Sequence, residues 1–166
     1  KLATGDHFEP LTQLLGRSEL PLRGRVERTL SGLVRRGEVE EGLQRIAERF
    51  HSADELNIKL SYLRVVGMVG SPTSRRMITR ALNHESADVR TESVRILSQW
   101  ETAEPTSTLF RTAGQGDSRT VRILALQGAI RMVGLSGKNP EEKLELYRRA
   151  LELASRSTEK VQVISG

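Results

Sequence analysis

Apolar residues recur along this chain at helical rather than strand spacing. Val26, Leu30, Leu33 and Val34 form one such run; Ile58, Leu63, Val66 and Val69 form a second. Val89, Val94, Leu97 and Trp100 form a third, and Val121, Leu126, Ala129 and Met132 a fourth. Recurrence at three- and four-residue steps puts each run on one side of an amphipathic helix. The runs also share a start. Ile58-Lys59, Val89-Arg90 and Val121-Arg122 each place a β-branched residue before a cation, at spacings of 31 and 32 residues. A step back of 32 reaches Val26-Glu27, and a step forward of 40 reaches Val161-Gln162. Five anchors in register mark an internal repeat.

A second helix is predicted after each of the three central anchors. Pro72, Pro105 and Pro140 stand 14, 16 and 19 residues beyond them. Proline suits the first helical position, where its missing N–H has no intrahelical partner to lose. Ser71 and Asn139 precede two of these prolines as N-caps, and Glu142 is placed to complete a capping box with Asn139. The apolar stripes of these helices are Met77, Ile78 and Leu82; Leu109, Phe110 and Ala113; and Leu144, Tyr147, Leu151 and Ala154. Asp54, Ser86, Asp117 or Ser118, and Thr158 are the predicted caps of the first helices. Strand-like alternation is nearly absent.

Each unit therefore reads as an antiparallel pair of helices joined by a short turn. One pair cannot bury its apolar stripe alone, so successive pairs must stack. The predicted units are 20–53, 54–84, 86–116 and 117–156. Partial units flank them at 1–16 (a turn at Gly5-Asp6, then a helix from Phe8 to Leu15) and at 158–166. Lys1 in place of an initiator Met points to an excerpt of a longer protein or to a processed product.

The period, the Asp88-Val89-Arg90 sequence at a turn-to-helix junction and the paired amphipathic helices resemble HEAT repeats. From Ser86 to Gly166 the likeness is to HEAT-repeat segments of large multidomain bacterial proteins. It rests on Val94-Arg-Ile-Leu97 running to Trp100, on Val121-Arg122-Ile-Leu-Ala-Leu126, and on Glu159-Lys160. The resemblance implies an all-α fold, a right-handed α-α superhelix of the HEAT or armadillo type, built from stacked antiparallel pairs. Such repeats serve many tasks. Glu27 and Gln162 depart from the pattern, because neither is a cation.

Composition narrows the chemistry. The 166 residues contain no Cys, which excludes disulfides, thiolate metal sites and a Cys nucleophile. Aromatics make up only 4%, so the core must be aliphatic. No apolar stretch is long enough to span a bilayer. The expectation is a soluble chain, cytoplasmic or bacterial extracytoplasmic. The formal charge is +5, but acids are interspersed with bases throughout, and Arg supplies 21 of the 26 cations. This pattern reads as a mixed solvated surface rather than a polyanion site.

Candidate catalytic motifs fail on context. His84 and Asp88 have metal-ligand spacing but bracket a turn, where the alignment that ligation needs is lost. Gly137-Lys138-Asn139 lacks the first glycine, the hydroxyl residue and the preceding strand of a phosphate loop. No cofactor and no metal is expected. Trp100 and the methionines Met68, Met77 and Met132 read as core packing.

Two sets of side chains are singled out. The resemblance implies that Lys59, Arg90 and Arg122 form a structural ladder bonded to turn carbonyls and neighbouring carboxylates, with Asp88 and Asp117 as partners. By the same analogy the second helices line a concave face carrying Arg75, Arg76, Arg80, Arg111, Arg148 and Arg149, which would suit an acidic partner. The expected function is a non-enzymatic scaffold that binds a protein partner or another domain of its own chain. The alternative is a HEAT-like enzyme or nucleic-acid-binding array, resembling an alkylpurine DNA glycosylase or a phycobilin lyase. Nucleic acid is disfavoured because the basic stretches lack stacking aromatics. If the ladder is structural, Arg90→Ala will lower thermal stability by about 2–4 kcal/mol; an unchanged melting curve would count against the stack.

Overall fold

Apolar stripes punctuated by Gly, Pro and capping residues resolve into nine α-helices among the described residues of the computed structural model, which are 5–19 and 21–154. They are α1 (Gly5–Arg17), α2 (Leu22–Arg36), α3 (Val39–Ser52), α4 (Leu56–Val69), α5 (Pro72–Ala81), α6 (Ala87–Ser98), α7 (Thr106–Gln115), α8 (Arg119–Leu135) and α9 (Pro140–Leu153). No strand occurs among the described residues. The pairs α2/α3, α4/α5, α6/α7 and α8/α9 fall within the spans 20–53, 54–84, 86–116 and 117–156. The chain divides into two compact units, Lys1–Arg80 and Ala81–Gly166.

In the first unit α2 packs on α4, α3 packs on α4, and α1 lies against α2. The core is aliphatic apart from Phe8 and Tyr62: Leu15, Val26, Leu30, Val34, Leu43, Ile46, Leu63, Val65 and Val66 are all buried. Helices α2 and α3 approach closely at Gly42, where an added Cβ would lie 2.9 Å from a Val34 methyl. Glu27, which replaces the cation of the other anchors, is buried, and its carboxylate faces Arg64 of α4 at 3.5 Å. An acid is tolerated there because a guanidinium on the next first helix partly offsets its lost hydration.

In the second unit α6 and α7 both pack on α8, and α9 covers α8 and α7. Val89, Val94, Leu97, Leu109, Phe110, Val121, Leu126, Ala129, Met132 and Val133 fill the space between them. The tightest point is Gly128 of α8. A Cβ built there would lie 2.6 Å from Ser98 Cβ and 2.9 Å from Ser98 Cα. Glycine costs helix propensity, but here it lets two backbones meet. Ser98 Oγ then donates to the Leu124 carbonyl at 3.2 Å. One turn further along α8, Arg131 donates from Nη1 to the carbonyls of Ser98 (3.2 Å) and Trp100 (2.9 Å). These are carbonyls at the frayed end of α6, which has no intrahelical donors left for them.

Local signals explain most helix starts, with corrections. Pro72 and Pro140 open α5 and α9. Ser71 Oγ accepts from Ser74 N (3.1 Å), and the Asn139–Glu142 capping box is complete, with bonds of 2.8 and 3.2 Å. Pro105 instead occupies the N-cap position, one residue before α7, where its carbonyl accepts from Leu109 N. Ser118 caps α8 through Val121 N. Asp54 is not a cap, since Glu55 takes that position without a side-chain bond. Ser86 holds the N-cap position of α6, but its side chain makes no capping bond. The predicted turn at Gly5-Asp6 is helical, because α1 begins at Gly5 and runs through Pro10. Leu144, expected on an apolar stripe, is 51% exposed. Thr158, Val161 and the partial unit 158–166 lie outside the described residues.

Gly128→Ala is expected to lower stability by about 1–3 kcal/mol, the usual cost of forcing an atom into a packed contact. Gly134→Ala, on the same helix with nothing within 4 Å of the added Cβ, should be neutral or stabilising. Thermal melts of the two variants check this, and equal losses would contradict it.

Candidate functional site

Arg90 stands in the first turn of α6, and its guanidinium reaches back beneath the preceding turn. Nη1 donates to the carbonyls of His84 and Glu85, both at 2.6 Å, and Nη2 meets Asp117 Oδ2 at 2.5 Å. One planar fork thus ties the turn before α6 to the turn before α8. The other predicted rungs differ. Lys59 is half-buried and Arg122 is exposed, and neither makes an ion pair among the described residues. Asp88 is exposed near the N-terminus of α6 and makes no side-chain bond among the described residues, where a carboxylate still complements the helix dipole. The Asp117 side chain is 53% exposed. Solvent therefore screens the ion pair, and the two carbonyl bonds carry most of the effect of Arg90, about 1–3 kcal/mol.

The six second-helix arginines fall into two groups. In the first unit Arg75, Arg76 and Arg80 share α5. Arg75 is half-buried and the other two are exposed. Arg76 Nη2 donates to Thr73 Oγ1 at 2.6 Å, and Thr73 in turn donates to Glu40 of α3 at 2.8 Å. In the second unit Arg111, Arg148 and Arg149 are exposed. Arg148 pairs with Glu145 at 3.5 Å. Arg149 lies 4.9 Å over the ring of buried Phe110, so its guanidinium caps an aromatic of α7 while its outer edge stays in water.

The clefts lined by described residues include the following two. One, of about 80 Å³, is lined by Phe8, Leu33, Val34, Gly37, Glu38, Glu41, Gly42 and Arg45. Arg45 lies 3.8 Å over the Phe8 ring, and Glu38 and Glu41 are exposed. The other, of about 490 Å³, is formed by α7, α8 and α9. Arg119 and Arg122, one turn apart on α8, and Glu152 of α9 are among its lining residues. Ala113, Gly114, Ile123, Leu126 and Leu153 complete the lining. The sequence signal for this cleft is a pair of arginines at i and i+3 on the first turns of a helix, which share a face.

Other candidate groups have local duties. His84 Nδ1 accepts from Ser86 N at 3.0 Å within its turn, and His51 meets Phe50 edge-on. Lys138 Nζ pairs with Glu142 at 2.8 Å beside the Asn139 cap. That Lys138 bond, and then the Asn139 N–H, hold the Glu142 carboxyl below the usual carboxylate range. Burial pushes the Tyr62 phenol upward; nearby Arg49 opposes the shift and Glu9 adds to it. Glu9 and Arg49 themselves pair at 2.5 Å between α1 and α3. Among the described residues no cluster of three metal-ligating side chains forms, and no helix is long and apolar enough to cross a membrane.

No known protein family matches this chain, nor does any curated protein or solved structure.

Arg122→Ala is expected to change stability by no more than about 0.5 kcal/mol, well below the loss from Arg90→Ala. Chemical denaturation of both variants checks the order, and a larger loss at Arg122 would overturn the assignment of distinct roles.

Proposed function

We propose that this chain is a non-enzymatic repeat scaffold, an array of HEAT-like antiparallel helix pairs that presents its helix surfaces to a protein partner or to another domain of the same polypeptide. The observation that carries this reading is the recurrence of one packing scheme. First helix packs on first helix in each unit, α2 on α4 and α6 on α8. Second helices α3 and α7 cover the same stack. A polypeptide that repeats a two-helix module spends its length on surface rather than on an enclosed reaction centre.

Surface chemistry supports the same reading. In the first unit α5 carries exposed Arg76 and Arg80, with Glu40 of α3 bonded to Thr73; in the second, α7 and α9 carry exposed Arg111, Arg148 and Arg149, with Glu145 paired to Arg148. Such a surface matches a partner of mixed or acidic character by charge complementarity. It does not supply the dense phosphate-tracking row that a nucleic-acid groove needs.

An enzymatic reading draws on the cleft at Phe8, where Glu38 and Glu41 stand beside an aromatic ring. Two features count against it. Both carboxylates are exposed, and Arg45 covers the ring they flank.

Photo-cross-linking tests the scaffold. With a photoreactive side chain replacing Arg76 on α5 or Arg111 on α7, irradiation in the native cell is expected to yield a discrete protein adduct. The adduct should be lost when neighbouring Arg80 or Arg148 is reversed to Glu. Absence of protein adducts at both positions, together with DNA binding whose affinity falls steeply with salt, would favour the nucleic-acid reading instead.

A further inference from the structure

The cleft between α7, α8 and α9 combines features that do not arise from packing alone. Arg119 and Arg122 project from the first turns of α8 and have no side-chain partner among the described residues, although Glu152 lines the same cleft. Three other guanidinium groups of the second unit are engaged: Arg90 with two carbonyls and Asp117, Arg131 with the end of α6, Arg149 over Phe110. Ile123, Leu126 and Leu153 add an apolar part to the lining. The space, about 490 Å³, is within the range of ligand-binding clefts.

We propose that this cleft binds an extended peptide segment of a partner protein in which an acidic residue stands next to an aliphatic one. The inference rests on the scaffold reading above and names the chemistry of one docking point. Arg119 and Arg122 receive the carboxylate through their planar forks, whose geometry matches it in a way an ammonium does not. The aliphatic side chain covers Ile123, Leu126 and Leu153. Glu152 accepts a hydrogen bond from a peptide N–H. The same Glu152 selects against a phosphate backbone, since a carboxylate beside closely spaced phosphates is repelled, and no aromatic lines the cleft to stack a base.

The test uses the full 166-residue chain and a short fluorescein-labelled peptide alternating Glu and Leu, read by fluorescence anisotropy. Saturable binding is expected, weakened at least about tenfold by Arg122→Glu, as for a charge pair at a binding interface. Arg148→Glu, outside the cleft, should leave it unchanged. A Lys–Leu peptide, polyglutamate and a short oligothymidylate should each bind much more weakly, because each lacks one of the matched features. Circular dichroism melts confirm that the variants stay folded, which the exposure of Arg122 leads one to expect. Equal binding by wild type and Arg122→Glu overturns the proposal, as does tighter binding of the oligonucleotide or of the Lys–Leu peptide, or no saturable peptide binding. Peptide binding lost in Arg111→Glu but kept in Arg122→Glu overturns the cleft and leaves the scaffold standing. Failure of the scaffold itself is read separately, from the cross-linking at positions 76 and 111.

Discussion

The contact between Ser98 and Gly128 sets the geometry on which the second unit depends. Two first helices, α6 and α8, meet there with backbone against backbone, and any side chain larger than hydrogen at position 128 intrudes on Ser98. Close approach brings the Ser98 hydroxyl to the Leu124 carbonyl and sets Arg131 against the open end of α6. It also brings Val94 and Leu97 within the same apolar layer as Leu126, Ala129 and Met132, all of them buried. Glycine in a helix interior is a propensity defect. Its presence at 128 is understandable only as the condition for this approach. Gly42 does related service in the first unit, where α2 and α3 close on each other around Val34.

Arginine is the second organising element, and it changes the meaning of the basic composition. The surplus of Arg over Lys looks at first like a polyanion signature. Much of it is structural. Arg90 joins two turns, Arg131 finishes a helix, Arg64 faces buried Glu27, and Arg45 and Arg149 cover the rings of Phe8 and Phe110. A planar guanidinium can bond two carbonyls at once or lie flat on an aromatic face, which an ammonium does less well. Side chains with such duties contribute charge to the surface without being available as a binding row. Arg119 and Arg122 of the α7–α9 cleft have no such duty among the described residues.

Periodicity made the helices legible. The anchors Val26, Val89 and Val121 are buried, as are Val94, Leu97, Trp100, Leu126 and Met132, because a stripe at helical spacing has one way to leave water. Pro72, Pro140 and the Asn139–Glu142 box also read directly, since their chemistry acts within a single turn. Leu144 did not read correctly. An apolar residue on a helix is buried only if something covers it, and what covers a helix is a long-range fact. The same limit applies to the ladder: Arg90 finds carbonyls and Asp117, whereas Lys59 and Arg122 sit at equivalent register without an ion pair among the described residues. The Gly128 contact was not legible, and of the α7–α9 cleft only the Arg119–Arg122 spacing was, because each depends on helix separations that no local pattern encodes.

A double-mutant cycle across the α6–α8 contact tests the central claim most directly. It combines Gly128→Ala with Ser98→Gly and reads unfolding free energies by chemical denaturation. If the close approach is the constraint, removing the serine side chain makes room for the added methyl, and the two changes couple by about 1 kcal/mol or more. Strictly additive effects would mean that Ser98 and Gly128 do not govern each other, and would contradict the account.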